Sequence, residues 1–105
     1  MKKVLCLVSS PPGSAQAQRA FALAEEWVKQ GHSVQICLLQ DGVYAALQSK
    51  VQDDTVSPVQ WLVLGDDLKL RGFAAEDLRS GVTTLDHAGL VQMMLENFDQ
   101  VLGAF

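Results

Sequence analysis

The sequence predicts an α/β fold, a three-layer α/β/α sandwich around a mostly parallel sheet of four or five strands. Three observations carry this. The apolar runs Val4–Val8 and Val34–Leu39 are nearly unbroken, the composition of strands buried on both faces in a parallel sheet. Between them Ala17, Ala20, Phe21, Ala24, Trp27 and Val28 recur at helical spacing, one face of an amphipathic helix. The two strands and the helix form a βαβ unit within forty residues, and such crossovers are right-handed. A third apolar run, Val59–Leu64, then continues the alternation of strand and helix.

Each element has its own punctuation. Val4–Val8 reads as the central strand, broken by Ser9-Ser10-Pro11-Pro12-Gly13. Ser14 is placed to cap a helix over Ala15–Gln30, which Gly31 ends. Val34–Leu39 stops at Gln40-Asp41-Gly42, where Gly42 permits a sharp turn through positive φ. Val43–Ser49 suits a short helix and Lys50–Pro58 a loop. Val59–Leu64 exits into the polar stretch Gly65–Gly72. Ala74–Ser80 accommodates one or two helical turns closed by Gly81. Val82–Leu85 is a short fourth strand, with Asp86 as the next N-cap. Leu90, Val91, Met94, Leu95 and Phe98 mark the inner face of a last helix, and Val101–Phe105 either extends it or adds a fifth strand. For a flavodoxin-like order, 2-1-3-4-5, the second strand is an edge, where the polar Gln35 is easily tolerated. The switch point then lies between the first and third strands.

Composition narrows the function classes. The 105 residues are 49% hydrophobic, enough for one domain spanning 1–105 and too few for two. Twelve acidic residues against eight basic give a net charge of −4, and the Lys and Arg residues are scattered. Counterion release needs them clustered, so nucleic acid is not an expected partner. The apolar part of the amino-terminal run is too short for a signal peptide, and no segment is long enough to span a membrane. A cytoplasmic location is the expectation. Cys6 and Cys37 belong to no CxxC or Cys/His cluster, which argues against a redox pair or a zinc site; no cofactor and no resident metal are expected.

Ligands of open α/β sheets bind beyond the carboxyl ends of the strands, which directs attention to three polar segments. Ser9 and Ser10 precede a helix N-terminus that favours anions, although Pro11 and Pro12 remove two backbone donors and a stiff connection serves equally well. Gln40, Asp41 and Gly42 form the second segment. Asp66, Asp67 and Arg71 form the third. The Asp residues suit a divalent cation or plain helix caps. Arg71 suits a carboxylate, sulfate or persulfide-like anion, or a salt bridge to Asp66 or Asp67. His87 has no assignable Ser or Cys partner, so a triad has no support. Cys6 and Cys37 read as buried, inert thiols, with Cys37 nearer the functional edge.

Leu38-Leu39-Gln40-Asp41-Gly42-Val43 resembles the Leu-Leu-Gln-Asp-Gly-Val segment of the DsrE/DsrF/DsrH-like sulfur-relay proteins, which include TusD, TusC and TusB. Val63–Gly72, with its Asp and Arg-Gly, and the later Leu85-Asp86 resemble the DsrH/TusB branch. Lys2–Gly31 is more similar to the DsrE branch. The resemblance implies an α/β/α subunit that forms homo-oligomers, or hetero-oligomers with related sulfur-relay subunits, in sulfur oxidation or tRNA 2-thiolation. In the DsrE branch it also implies a persulfide cysteine just past the third strand. Leu64–Arg71 contains no cysteine, so the resemblance points to a non-catalytic assembly or ligand-binding subunit. Persulfide carriage on Cys37 and an anion- or small-molecule-sensing domain are the alternatives.

Overall fold

A computed structural model of the chain describes residues 2–47 and 59–103. The expected loop Lys50–Pro58, the end of the short helix predicted to Ser49, and the last two residues lie outside them. Five strands form one sheet: β1 (Lys3–Val8), β2 (Ser33–Leu38), β3 (Gln60–Leu64), β4 (Val82–Leu85) and β5 (Gln100–Leu102). Every pairing is parallel. Among the described residues three α-helices accompany them: α1 (Ala15–Lys29), α2 (Gly65–Leu70) and α3 (His87–Glu96). The α/β class and the parallel sheet are as the sequence predicts.

The strand order is β4-β3-β2-β1-β5. It keeps two pairings of the predicted 2-1-3-4-5 order, β2 with β1 and β3 with β4. It differs in that β3 sits on β2 and β5 on β1, so β2 is the central strand and not an edge. Gln35 misled the order. By strand alternation Gln35 lies on the face opposite α1, half-buried and in register with Gln60. Its half-buried side chain keeps access to water, so a polar residue is tolerated there even in mid-sheet.

Right-handed crossovers explain the layers. The chain steps in one direction from β1 to β4 and then returns past β1 to β5, so α1 and α3 must cover opposite faces. Two apolar clusters show this. Val4, Cys6, Val8, Val34, Ile36, Leu38 and Val63 pack beneath Ala17, Ala20 and Ala24 of α1. Leu5, Cys37, Leu62 and Leu64 pack on the other face beneath Leu90 of α3. Alanines at α1's inner positions let the helix approach the sheet closely.

The helix ends follow the sequence closely. Ser14 caps α1 by accepting from the Ala17 N–H at 3.1 Å. At the other end the Gly31 N–H donates to Val28 and the His32 N–H to Trp27, each at 3.0 Å. This is the Schellman pattern, and Gly31 takes the left-handed φ of +90° that it needs. Asp86 caps α3, accepting from the Gly89 N–H at 2.6 Å. The inner face of α3 is rotated from the expected one. Leu90, Met93, Met94 and Phe98 pack inward, whereas Val91 and Leu95 are 54% and 80% exposed. The residues of Val101–Phe105 that the structure describes take the strand alternative, since Val101 and Leu102 pair with β1.

Candidate functional site

Beyond the carboxyl end of the sheet, the exit of β2 ties its neighbours together. Leu39 is still extended and its N–H donates to the Val8 carbonyl at 3.0 Å. Gln40 then turns the chain with a left-handed φ of +49°, rare for a residue with a Cβ. Residues Gln40–Ala46 form a 3₁₀ helix, so the short helix expected from Val43 begins three residues earlier. The turn exposes the Gln40 N–H, which donates to Asp67 Oδ2 at 2.8 Å. Gly42 does not take positive φ, contrary to the sequence reading. A Cβ on Gly42 would instead collide with the Val8 carbonyl and lie 3.6 Å from that of Ser10. Glycine is required there by close approach, not by turn geometry.

The stretch Gly65–Gly72, read from the sequence as a polar strand exit, is mostly helix α2. One helical turn carries Asp67 to Arg71, and both face the β2 exit. Arg71 Nε and Nη2 donate to Asp41 Oδ1 at 3.2 and 3.1 Å, and Nη1 donates to the Asp67 carbonyl at 3.2 Å. Arg71 therefore pairs with Asp41, not with the carboxylate of Asp66 or Asp67. Gln40, Asp41, Asp67 and Arg71 make one network, a staple between the exits of β2 and β3. Ser9 and Ser10 lie half-buried at the β1 exit, against which Gly42 is packed. Asp66 stands apart from the network. Its Oδ2 is 3.8 Å from His87 Nε2, with both side chains largely exposed.

The thiols are fully enclosed. Cys6 and Cys37 are each 0% exposed, on opposite faces of the sheet. Burial pushes the Cys6 thiol up to about 11. Burial first, and then the negative charge of Asp67, push Cys37 up to about 12. Asp67, not Arg71, is the charge that acts on Cys37, and it disfavours the thiolate. Among the described residues no group of His, Cys, Asp and Glu is arranged to hold a metal ion.

The switch point lies elsewhere than predicted. The chain leaving β3 stays on the α1 face, where Leu68 and Leu78 join the larger cluster. The chain leaving β4 enters α3 on the opposite face. The crevice between diverging exits therefore opens between β3 and β4, not between β1 and β3. It is a cleft of about 390 Å³ whose lining includes Asp66, Leu68, Phe73, Thr84, Leu85 and Asp86. Sequence reasoning found Asp66 and missed the rest as site residues. The only available signal was the second polar strand exit, Leu85-Asp86, which reads equally well as an N-cap.

The DsrH-like protein family model matches residues 13–100 of the sequence. The chain belongs to the DsrH-like family. It is thereby related to the sulfur-relay proteins whose motifs it resembles. A search among curated proteins finds no match. Solved structures similar to this DsrH-like chain include the ychN protein from E. coli, with TM-score 0.82 and 21% identity over 99% of this chain and 100% of that one. A protein of unknown function from Methanobacterium thermoautotrophicum gives TM-score 0.73 and 15% identity, again over 99% and 100%. A Thermotoga maritima protein gives 0.62 and 20% over 90% and 93%. At these identities the likeness establishes the fold. Among the described residues no helix is long and apolar enough to cross a membrane.

Proposed function

We infer that this DsrH-like chain is a non-catalytic assembly or ligand-binding subunit of a sulfur-relay system. The observation that carries the reading is the chemistry of the β3 exit. Where the resemblance to the DsrE branch calls for a persulfide thiol, Gly65–Leu70 form α2 and present carboxylates, which cannot carry sulfur. The chain's two thiols lie in the sheet interior, uncharged at neutral pH and out of reach of a donor. The staple of Gln40, Asp41, Asp67 and Arg71 fits the same role by holding the carboxyl edge rigid for a partner or ligand. Ser9, Ser10, Gly42 and Asp66 complete the edge. The subunit is proposed to act as a single cytoplasmic domain, without metal or cofactor, in a homo-oligomer or alongside related relay subunits.

Native alkylation at neutral pH, read by mass spectrometry, tests the non-catalytic role. Neither cysteine should react until the protein is denatured, and a polysulfide donor should leave the folded chain unmodified. Rapid single modification at Cys37, abolished by Cys37→Ser, would transfer the role to a persulfide on that residue. Light scattering tests assembly: a mass of 11.4 kDa across micromolar concentrations would exclude the homo-oligomer.

A further inference from the structure

Of the residues that line the cleft between the exits of β3 and β4, the sulfur-relay reading uses only Asp66. Leu64 and Leu85 are partners in the β3–β4 register, so the two chains leave the sheet side by side before diverging. Gly65 follows Leu64 without a side chain, which leaves the mouth of the cleft open. Leu68, Phe73 and Leu85 supply an apolar lining, and Asp66 and Asp86 bring a carboxylate from each wall. Each carboxylate has one neighbour within the chain. Asp86 Oδ1 holds the Gly89 N–H. Asp66 Oδ2 faces His87 Nε2 at 3.8 Å, a long contact between two largely exposed side chains that a better-placed cation can displace. Lys69 is the one cation in the lining and lies three residues along α2 from Asp66. The lining thus carries two carboxylates against one ammonium around an apolar interior. The volume of about 390 Å³ is in the range of small-molecule sites.

We propose that this cleft binds an organic cation, an ammonium or guanidinium on an apolar stem, with the cation between Asp66 and Asp86 and the stem against Leu68, Phe73 and Leu85. An anion is disfavoured, because acidic side chains already occupy the positions before and within the first turns of α3 and α2 where one would sit. A guanidinium carries five N–H donors, enough for more than one carboxylate oxygen. The cation comes either from a free small molecule or from an arginine side chain of a peptide. The proposal stands apart from the sulfur-relay reading and does not require it.

The test is a titration of the full chain with n-butylguanidinium, followed by amide chemical shifts. Pentanoate, of similar stem and opposite charge, is the control. Butylguanidinium should shift the amides of Gly65–Phe73 and Thr84–Asp86, and pentanoate should not. Asp66→Asn and Asp86→Asn together should weaken binding by about a hundredfold, the loss of two charge-assisted contacts at about tenfold each. Asn caps a helix as well as Asp, so α3 is retained in the second variant. Glu25→Gln on α1 should change nothing. A blocked Ala-Arg-Ala peptide separates the sources, since tighter binding than butylguanidinium assigns the site to a peptide and equal or weaker binding to a small molecule. Absence of shifts at millimolar butylguanidinium, equal binding of pentanoate, or equal affinity in the double variant would each overturn the proposal.

Discussion

Replacing Gly42 by Ala isolates the contact that seats the β2 exit on β1. The added Cβ collides with the Val8 carbonyl oxygen and touches its carbon, and both are backbone atoms that no rotamer change can move. Overpacking of this kind costs about 1–3 kcal/mol. The Val8 carbonyl also accepts the Leu39 N–H at 3.0 Å, and retreat of the turn stretches that bond, for about 1 kcal/mol more. The expected loss is about 2–4 kcal/mol. Two other glycines calibrate it. Gly31→Ala meets nothing within 4 Å but is held at φ +90°, so it should cost about 1–2 kcal/mol through conformation alone. Gly13→Ala has neither the clash nor the φ and should be neutral or slightly stabilising. Urea unfolding of the three variants, with unchanged m-values, gives the comparison directly. A Gly42→Ala midpoint equal to that of Gly13→Ala would refute the close-approach argument.

Three further outcomes follow from the same geometry. Arg71→Lys cannot reproduce three directed bonds to Asp41 and the Asp67 carbonyl and should lose about 1 kcal/mol; a double-mutant cycle with Asp41→Asn should return a coupling of similar size, and additivity would remove the staple. Stability should fall above pH 9, because the unfolded thiols lose their protons from 9.0 upward while the folded ones hold them to about 11 and about 12. The thiol contribution is therefore intact below pH 9 and lost as pH rises. By about pH 10 the loss amounts to about 1.4 kcal/mol for each cysteine, and chemical denaturation against pH should show a flatter slope for Cys6→Ala, Cys37→Ala; an unchanged slope would contradict the burial. Ser14→Ala removes the acceptor for the Ala17 N–H and should cost about 1 kcal/mol in thermal or urea melts, whereas Ser14→Asp should cost nothing measurable.

Local chemistry determined the elements of this protein. The β-strand runs at Val4 and Val34 are written in side chains that need no partner to be recognised, and so is the Ser14-to-Gly31 helix with both its caps. Burial on both faces and helical spacing are properties of neighbouring residues along the chain. The motif residues Gln40, Asp41 and Gly42 were also legible as a strand exit. Their physical roles were not. Whether Gly42 serves φ or proximity depends on where the Val8 carbonyl lies, and that is a fact about β1. Arg71 finds Asp41 rather than its nearer neighbours in sequence, because one turn of α2 aims it across the edge at the β2 exit. Strand order was decided by tertiary structure alone. Parallel strands with similar apolar composition are interchangeable as far as local pattern goes, and it is the packing of the β2–β3 connection, through Val43 and Ala46, on the same face as α1 that goes with β2 as the centre. The cleft follows from that order, since a switch point exists only where two adjacent exits part. Asp66 and Asp86, twenty residues apart in the chain, share it because β3 and β4 are neighbours.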